Sequence, residues 1–260
     1  MQVSEKVSQK YNIGDKIGSG FTSVVYKVTN KKTEKNYALK IINKRHEEIV
    51  SNAEKEIFLH SKLNNPHIVK LIESFEDDNN FYIILELCGD NAYEYMKNNN
   101  PVDENYAINM IYQIALAVKY LHDNNMTHRD IKLENIVKCG SFWKLADFGS
   151  IDTEKFFRIK AGTLDYLAPE IVASKKYKGF HVDIWTLGVT LYDLLFRHPP
   201  FLEKTYKATY DAIKNNEVSF KDRSINSLTK DLIVSMLNKD PDQRININQV
   251  LSHPVFKLMI

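Results

Sequence analysis

The 260-residue chain carries 35 Lys and Arg against 33 Asp and Glu, for a net charge of +2, with 43% hydrophobic and 26% charged residues. This is enough apolar material for a real core, and the near-neutral balance argues against a nucleic-acid binder, which concentrates basic charge. Two cysteines, Cys88 and Cys139, make no disulfide framework, Met1 to Lys10 lacks a signal-peptide core, and no apolar run is long enough to cross a bilayer, so the expected setting is soluble and intracellular, cytoplasmic or nuclear, with no membrane partner.

From Tyr11 to Leu87 the chain reads mostly as strands. Phe21 to Val28 and Asn36 to Ile42 are rich in β-branched and aromatic residues, and Phe81 to Leu87 holds no charge until Glu86. One helix interrupts them, from about Glu47 to Leu63, ended by Asn64-Asn65-Pro66. After Gly89 the character becomes helical. Asp103 follows Pro101 as a candidate cap for a helix whose Ile108, Ile111, Ala115, Val118 and His122 recur at helical spacing. His181 to Phe196 is apolar on nearly all sides, which predicts a buried helix. Thr205 to Asn215, Ile225 to Leu237 and Asn246 to Leu251 complete the helical set. A strand-rich third joined to a helical remainder implies an α+β chain of two lobes with a ligand-binding cleft.

Several short stretches carry chemistry. In Ile17-Gly18-Ser19-Gly20 the glycines let backbone N–H groups approach a phosphate, although two glycines between strands also suit a plain hairpin. Strand alternation puts Ala38 and Lys40 on one face and Leu39 and Ile41 on the other. His128-Arg129-Asp130-Ile131-Lys132-Leu133-Glu134-Asn135 packs a carboxylate, a lysine and a carboxamide into one loop. A carboxylate can accept a hydroxyl proton, a lysine can neutralise phosphate charge, and an Asn oxygen can hold a hard cation. Ile136 to Lys138 and Trp143 to Ala146 read as a hairpin turning at Cys139-Gly140-Ser141. Its open ends set Asn135 beside Asp147, a plausible hard-cation site.

In this order and spacing, the glycine loop, Tyr37-Ala38-Leu39-Lys40, the His128 to Asn135 loop, Asp147-Phe148-Gly149 and Ala168-Pro169-Glu170 resemble the eukaryotic serine/threonine protein kinases over Tyr11 to Phe256. The resemblance implies the bilobal kinase fold: one domain over residues 1–260, with an antiparallel N-lobe sheet and its helix C over about 11–87 and a mainly helical C-lobe over about 88–260. It implies ATP and Mg2+ as cofactors, with Asn135 and Asp147 as metal ligands. Asp130, Lys132, Asn135, Lys40 and Glu56 become the catalytic set. The nucleotide-binding set is Ile17, Gly18, Gly20, Val25, Ala38, Lys40, Glu86, Cys88, Glu134, Asn135 and Asp147, with Leu85 as gatekeeper. Glu56 is placed as the lysine's partner by its offset from Asn65-Pro66-His67-Ile68, and Glu54 competes with it. Asp183 would support the catalytic-loop backbone, and Arg244 would be the ion-pair partner of Glu170.

Gly162-Thr163-Leu164-Asp165-Tyr166-Leu167 and Val250-Leu251-Ser252-His253-Pro254 are most similar to the Aurora kinases. That similarity implies a role in cell division and an activating protein that docks on the N-lobe. Glu134 lies where basophilic kinases contact an arginine just before the phosphoacceptor, which implies protein substrates with basic residues near the Ser or Thr. Three features depart from the pattern. Ser23 replaces the third glycine, Ser150 follows Gly149 where Auroras commonly carry tryptophan, and Ile159, preceded by Arg158, stands where the activating threonine is usual. The segment is therefore expected to be ordered by Phe156, Phe157 and Ile159 or by a partner, with activity independent of phosphorylation there. Another basophilic kinase is one alternative, and a pseudokinase acting as a binding module is the other.

Overall fold

The computed structural model describes residues 4–20, 22–154, 157, 163–173 and 176–259. Phe21, Phe156, Arg158, Ile159 and Gly162, on which sequence expectations fall, lie outside the described residues. The chain divides into two compact units, Met1–Gly89 and Asp90–Ile260.

In the first unit α1 (Glu5–Lys10) leads into β1 (Tyr11–Ser19), β2 (Ser23–Asn30) and β3 (Asn36–Asn43), and α2 (Glu47–His60) precedes β4 (Leu71–Glu76) and β5 (Asn80–Glu86). The strands form an antiparallel sheet in the order β1-β2-β3-β5-β4. Side-chain alternation gives it two buried faces. Leu39 and Ile41 of β3 pack with Tyr82 and Ile84 of β5 and with Val7 and Tyr11 on one face, while Ile42, Phe81 and Ile83 pack with Ala53 of α2 on the other. Lys40 falls on the α2 face by the same alternation. The α2 helix stops at His60, short of the expected Leu63. Lys62 and Leu63 donate instead to Leu59 and His60, three residues back, and the His60 ring bonds the Val69 carbonyl at 2.7 Å. These tighter bonds close the last turn before Pro66 redirects the chain.

The second unit runs through α3 (Ala92–Asn98), α4 (Glu104–Asp123), the hairpin β6 (Ile136–Cys139) and β7 (Phe142–Leu145), α5 (Pro169–Val172), α6 (Gly179–Phe196), α7 (Tyr206–Asn215), α8 (Ser227–Met236) and α9 (Ile247–Leu251). The caps follow the sequence. Asp103 accepts from the Tyr106 amide, Thr205 from Ala208, and Asn246 with Gln249 forms a reciprocal capping box. The α3 helix was not expected, although Asn91 caps it through the Glu94 amide. Every residue of α6 from Val182 to Phe196 is buried, against α4 on one side and α8 on another. Gly188 permits the second contact, since a Cβ there would come within 2.8 Å of Met236 Cβ. Behind α6, Arg244 forms a fork with Glu170 of α5, NH1 to Oε1 at 2.8 Å and NH2 to Oε2 at 3.0 Å. No described helix is long and apolar enough to cross a membrane.

Candidate active site

The first unit brings a lysine and a carboxylate together in its interior. Lys40 Nζ lies 2.6 Å from Glu56 Oε1, with side-chain exposures of 10% and 4%. The α2 stripe of Ala53, Glu56, Leu59 and His60 is buried at helical spacing, whereas Glu54 is exposed, so the geometry selects Glu56 over its competitor. A charge-assisted bond of this length holds the ammonium in one place on the sheet. Ala38 is buried two residues before it. At the β1–β2 end, Gly18 pairs with Val25, Ile17 is half exposed, and the Gly20 amide donates to the Ser23 carbonyl at 2.8 Å. Ser23, in the place of the third glycine, thus opens β2 and closes the turn with its backbone. On β5, Leu85 lies opposite Ala38, and the Glu86 amide donates to Lys70 O while Glu86 Oε1 accepts from the Lys70 amide. Cys88 follows, partly buried, at the end of this unit.

The second unit assembles the His128 to Asn135 loop from below. Asp183 of α6, fully buried, accepts from the His128 and Arg129 amides at 3.0 and 2.8 Å and from the His122 ring at 3.0 Å. His122 read as part of an apolar helical stripe, and the structure shows it stacked on Phe180 and bonded to this carboxylate. The buried His128 ring bonds the Ala146 carbonyl and meets the Phe148 ring edge-on at 5.0 Å. Above this base, Lys132 Nζ lies 3.0 Å from Asp130 Oδ2 and donates to Thr163 Oγ1 at 2.8 Å, and Thr163 in turn donates to Asp130 Oδ1 at 3.2 Å. Asn135 donates to the Asp130 carbonyl and to Oδ2 at 2.8 and 3.1 Å. A carboxylate flanked this way can orient a hydroxyl and take its proton, and the adjacent ammonium can neutralise an anionic oxygen. Thr163 as a member of this cluster was legible in the sequence only as a family mark.

The hairpin delivers the remaining group. Ala146 donates to the Asn135 carbonyl at 2.8 Å, one step beyond the Ile136–Leu145 pair, so Asn135 and Asp147 stand at its open end. With its amide nitrogen bonded to Asp130, Asn135 offers its side-chain carbonyl oxygen, and Asp147 is an exposed carboxylate. Hard oxygen donors of these two kinds fit a divalent cation. Arg129 and Asp147 both adopt positive φ, 69° and 57°, a region unfavourable for side chains with a Cβ and concentrated at functional sites.

Glu134 is exposed beside the second unit's acidic groups. Burial, with the nearby charges of Glu134 and Asp165, pushes the Asp193 carboxyl up to about 6, and the Tyr166 hydroxyl donates to it.

The first unit holds a buried lysine–glutamate pair, and the second holds a carboxylate–ammonium–hydroxyl cluster. Residues 11–256 match the protein kinase domain family. Over 256 residues the chain is 39% identical to the "Probable serine/threonine-protein kinase PLK" of Dictyostelium discoideum, covering 95% of this chain and 26% of that protein. It is 35% identical to an Aurora kinase of Candida glabrata, covering 96% and 72%, and 36% identical to the serine/threonine-protein kinase polo of Drosophila melanogaster, covering 92% and 43%. The chain belongs to the protein kinase family, among its serine/threonine members, a family of ATP-dependent enzymes that act on protein. It spans about a quarter of the PLK relative and under half of the polo relative. Aurora, polo and calcium-dependent protein kinases all stand at similar distance, so the coarser class is what the comparisons establish.

Proposed function

We propose that this domain transfers the γ-phosphoryl group of Mg2+-bound ATP to serine or threonine in basic protein segments, in an Aurora-like role in cell division, within the cytoplasm or nucleus. The observation that carries the reading is the Asp130–Lys132–Thr163 triangle, held from beneath by Asp183. Bound ATP would supply the phosphoryl group, Lys40, fixed by Glu56, would position its phosphates, and Asn135 and Asp147 would hold a divalent metal that neutralises them. Asp130 orients the substrate hydroxyl and accepts its proton, while Lys132 stabilises charge on the moving group. Catalysis of this kind is positioning plus electrostatics. The Aurora-like assignment, with an activating protein on the N-lobe, is supported by the 35% identity to an Aurora kinase and the Gly162 to Leu167 motif.

Preference for basic substrates is supported by the exposed Glu134 carboxylate in the catalytic loop. Positional-scanning peptide phosphorylation tests it together with the acceptor residue. The wild type should select Ser or Thr preceded by arginine. Glu134→Ala should raise KM for those peptides by about tenfold, the worth of one charged hydrogen bond, and leave peptides without arginine unchanged. A uniform change across the library would remove Glu134 from recognition.

A further inference from the structure

Arg129 is a largely buried charge with no part in the chemistry just described. Its side chain is 13% exposed, and its backbone is held at φ 69° by the bond from its amide to Asp183. An arginine so placed stays charged and requires a counter-charge within the fold. Asp152 provides one: NH1 lies 3.3 Å from Oδ2, and the carboxylate is 9% exposed. The Asp152 backbone is tied to the entry of the catalytic loop, because Thr127 and Asp152 exchange N–H···O bonds at 2.9 and 3.0 Å. Its Oδ1 accepts from the Thr153 and Glu154 amides, and Oδ2 faces the guanidinium.

An aromatic ring completes the enclosure. The Arg129 guanidinium carbon lies 4.2 Å from the centre of the Phe157 ring, a cation–π distance. Phe157 is buried and exchanges backbone bonds with Tyr177 at 2.8 and 3.0 Å. The site is shaped to admit it, since a Cβ on Gly179 would come within 2.9 Å of the Phe157 ring and 2.6 Å of Thr127. The guanidinium is thus matched by a carboxylate and covered by an aromatic face, both drawn from the segment that follows Asp147.

From this geometry we infer that Asp152 is a positioning residue for the catalytic loop. It is the permanent counter-charge of Arg129, and through that arginine it holds Asp130 in place without a phosphate on the segment. The inference rests on the kinase reading and deepens it by naming how the site is regulated. Two facts support it independently. Ile159, where the family resemblance sets the phosphoacceptor, has no hydroxyl. A phosphate brought to Arg129 would also meet the Asp152 carboxylate, a like-charge contact that opposes its docking.

The test measures kcat and KM with phosphate-free protein, its phosphorylation state set by phosphatase and checked by intact mass, with folding checked by thermal melting. The wild type should keep full kcat without phosphate. Asp152→Asn should lower kcat about 10- to 100-fold, the worth of a charged hydrogen bond, with KM for ATP unchanged. Asp152→Glu should restore most of the loss, and Arg129→Gln combined with Asp152→Asn should be no worse than Arg129→Gln alone. Wild-type kcat that falls with dephosphorylation and returns on autophosphorylation, at exposed Thr153 for example, would overturn the inference while leaving the kinase reading intact. So would an Asp152→Asn variant with unchanged kcat. If Asp152→Asn fails to fold, the dephosphorylated wild type still decides between these outcomes. Absence of turnover in every phosphorylation state would overturn both readings.

Discussion

Arg244→Ala should destabilise the domain by about 3–5 kcal/mol, among the largest losses any single substitution here should produce. The Arg244 side chain is fully buried and Glu170 is 6% exposed. Both guanidinium nitrogens bond the carboxylate, NH1 also donates to the His181 carbonyl at 2.7 Å, and Nε donates to Asn238 O at 3.0 Å. The pair contributes little net stability compared with a well-packed apolar pair, because both charges had to leave water. Removing one member is different, since the other charge stays buried with nothing to offset its desolvation. For a domain of this size the loss corresponds to a fall in Tm of roughly 6–20 °C. Urea titration of Arg244→Ala, Glu170→Ala and the double variant checks it: the double should be no less stable than Arg244→Ala alone. Additive losses, or a loss below about 1 kcal/mol, would contradict the account.

Lys40→Met should abolish measurable turnover, and Lys40→Arg should separate the two things this lysine does. The ammonium is buried 2.6 Å from Glu56, so the methionine variant takes the cation from a buried carboxylate and should also lose about 3–5 kcal/mol of stability. Arginine keeps the charge, and most of the stability should return with it. Its planar, longer head cannot put a point charge where the ammonium sits. A misplacement of that order costs about 100-fold in rate, so Lys40→Arg should melt near the wild type and still fall about 100-fold in kcat/KM for ATP. Activity that followed stability across the two variants would assign Lys40 a purely structural role.

The parts of this fold most legible in the sequence are those where local chemistry and tertiary packing agree. Asp103, Thr205 and Asn246 cap the helices they precede, and the burial of α6 follows from its unbroken apolar surface. The hairpin that sets Asn135 beside Asp147 needed only alternating strands and a turn at Gly140. The pairing of Lys40 with Glu56 was expected from the family resemblance alone, with Glu54 left as a competitor, and local pattern did not show it. A lysine on a strand and a glutamate on a helix 16 residues later are both ordinary, and only the packing of α2 on the sheet selects Glu56 over Glu54. The end of α2 was overestimated because nothing in Ser61-Lys62-Leu63 forbids helix, and three-residue bonds close it instead. His122 was read as apolar periodicity, although its ring bonds Asp183. Asp152 gave no signal at all, since one aspartate before a threonine looks like a solvated turn until Arg129 is seen against it.

Phosphoryl transfer from ATP with Mg2+ to an arginine-containing Ser/Thr peptide, compared between the wild type and Asp130→Asn, tests most directly whether this domain is a kinase with Asp130 as its base. The asparagine keeps the shape that Lys132, Thr163 and Asn135 surround, so folding should be unchanged. What it loses is the carboxylate that accepts the hydroxyl proton, a role worth about 10²–10⁴ in rate. Wild-type turnover should be clear, and the Asp130→Asn kcat should be lower by that factor at unaltered Tm. Equal rates for the two proteins would contradict that assignment.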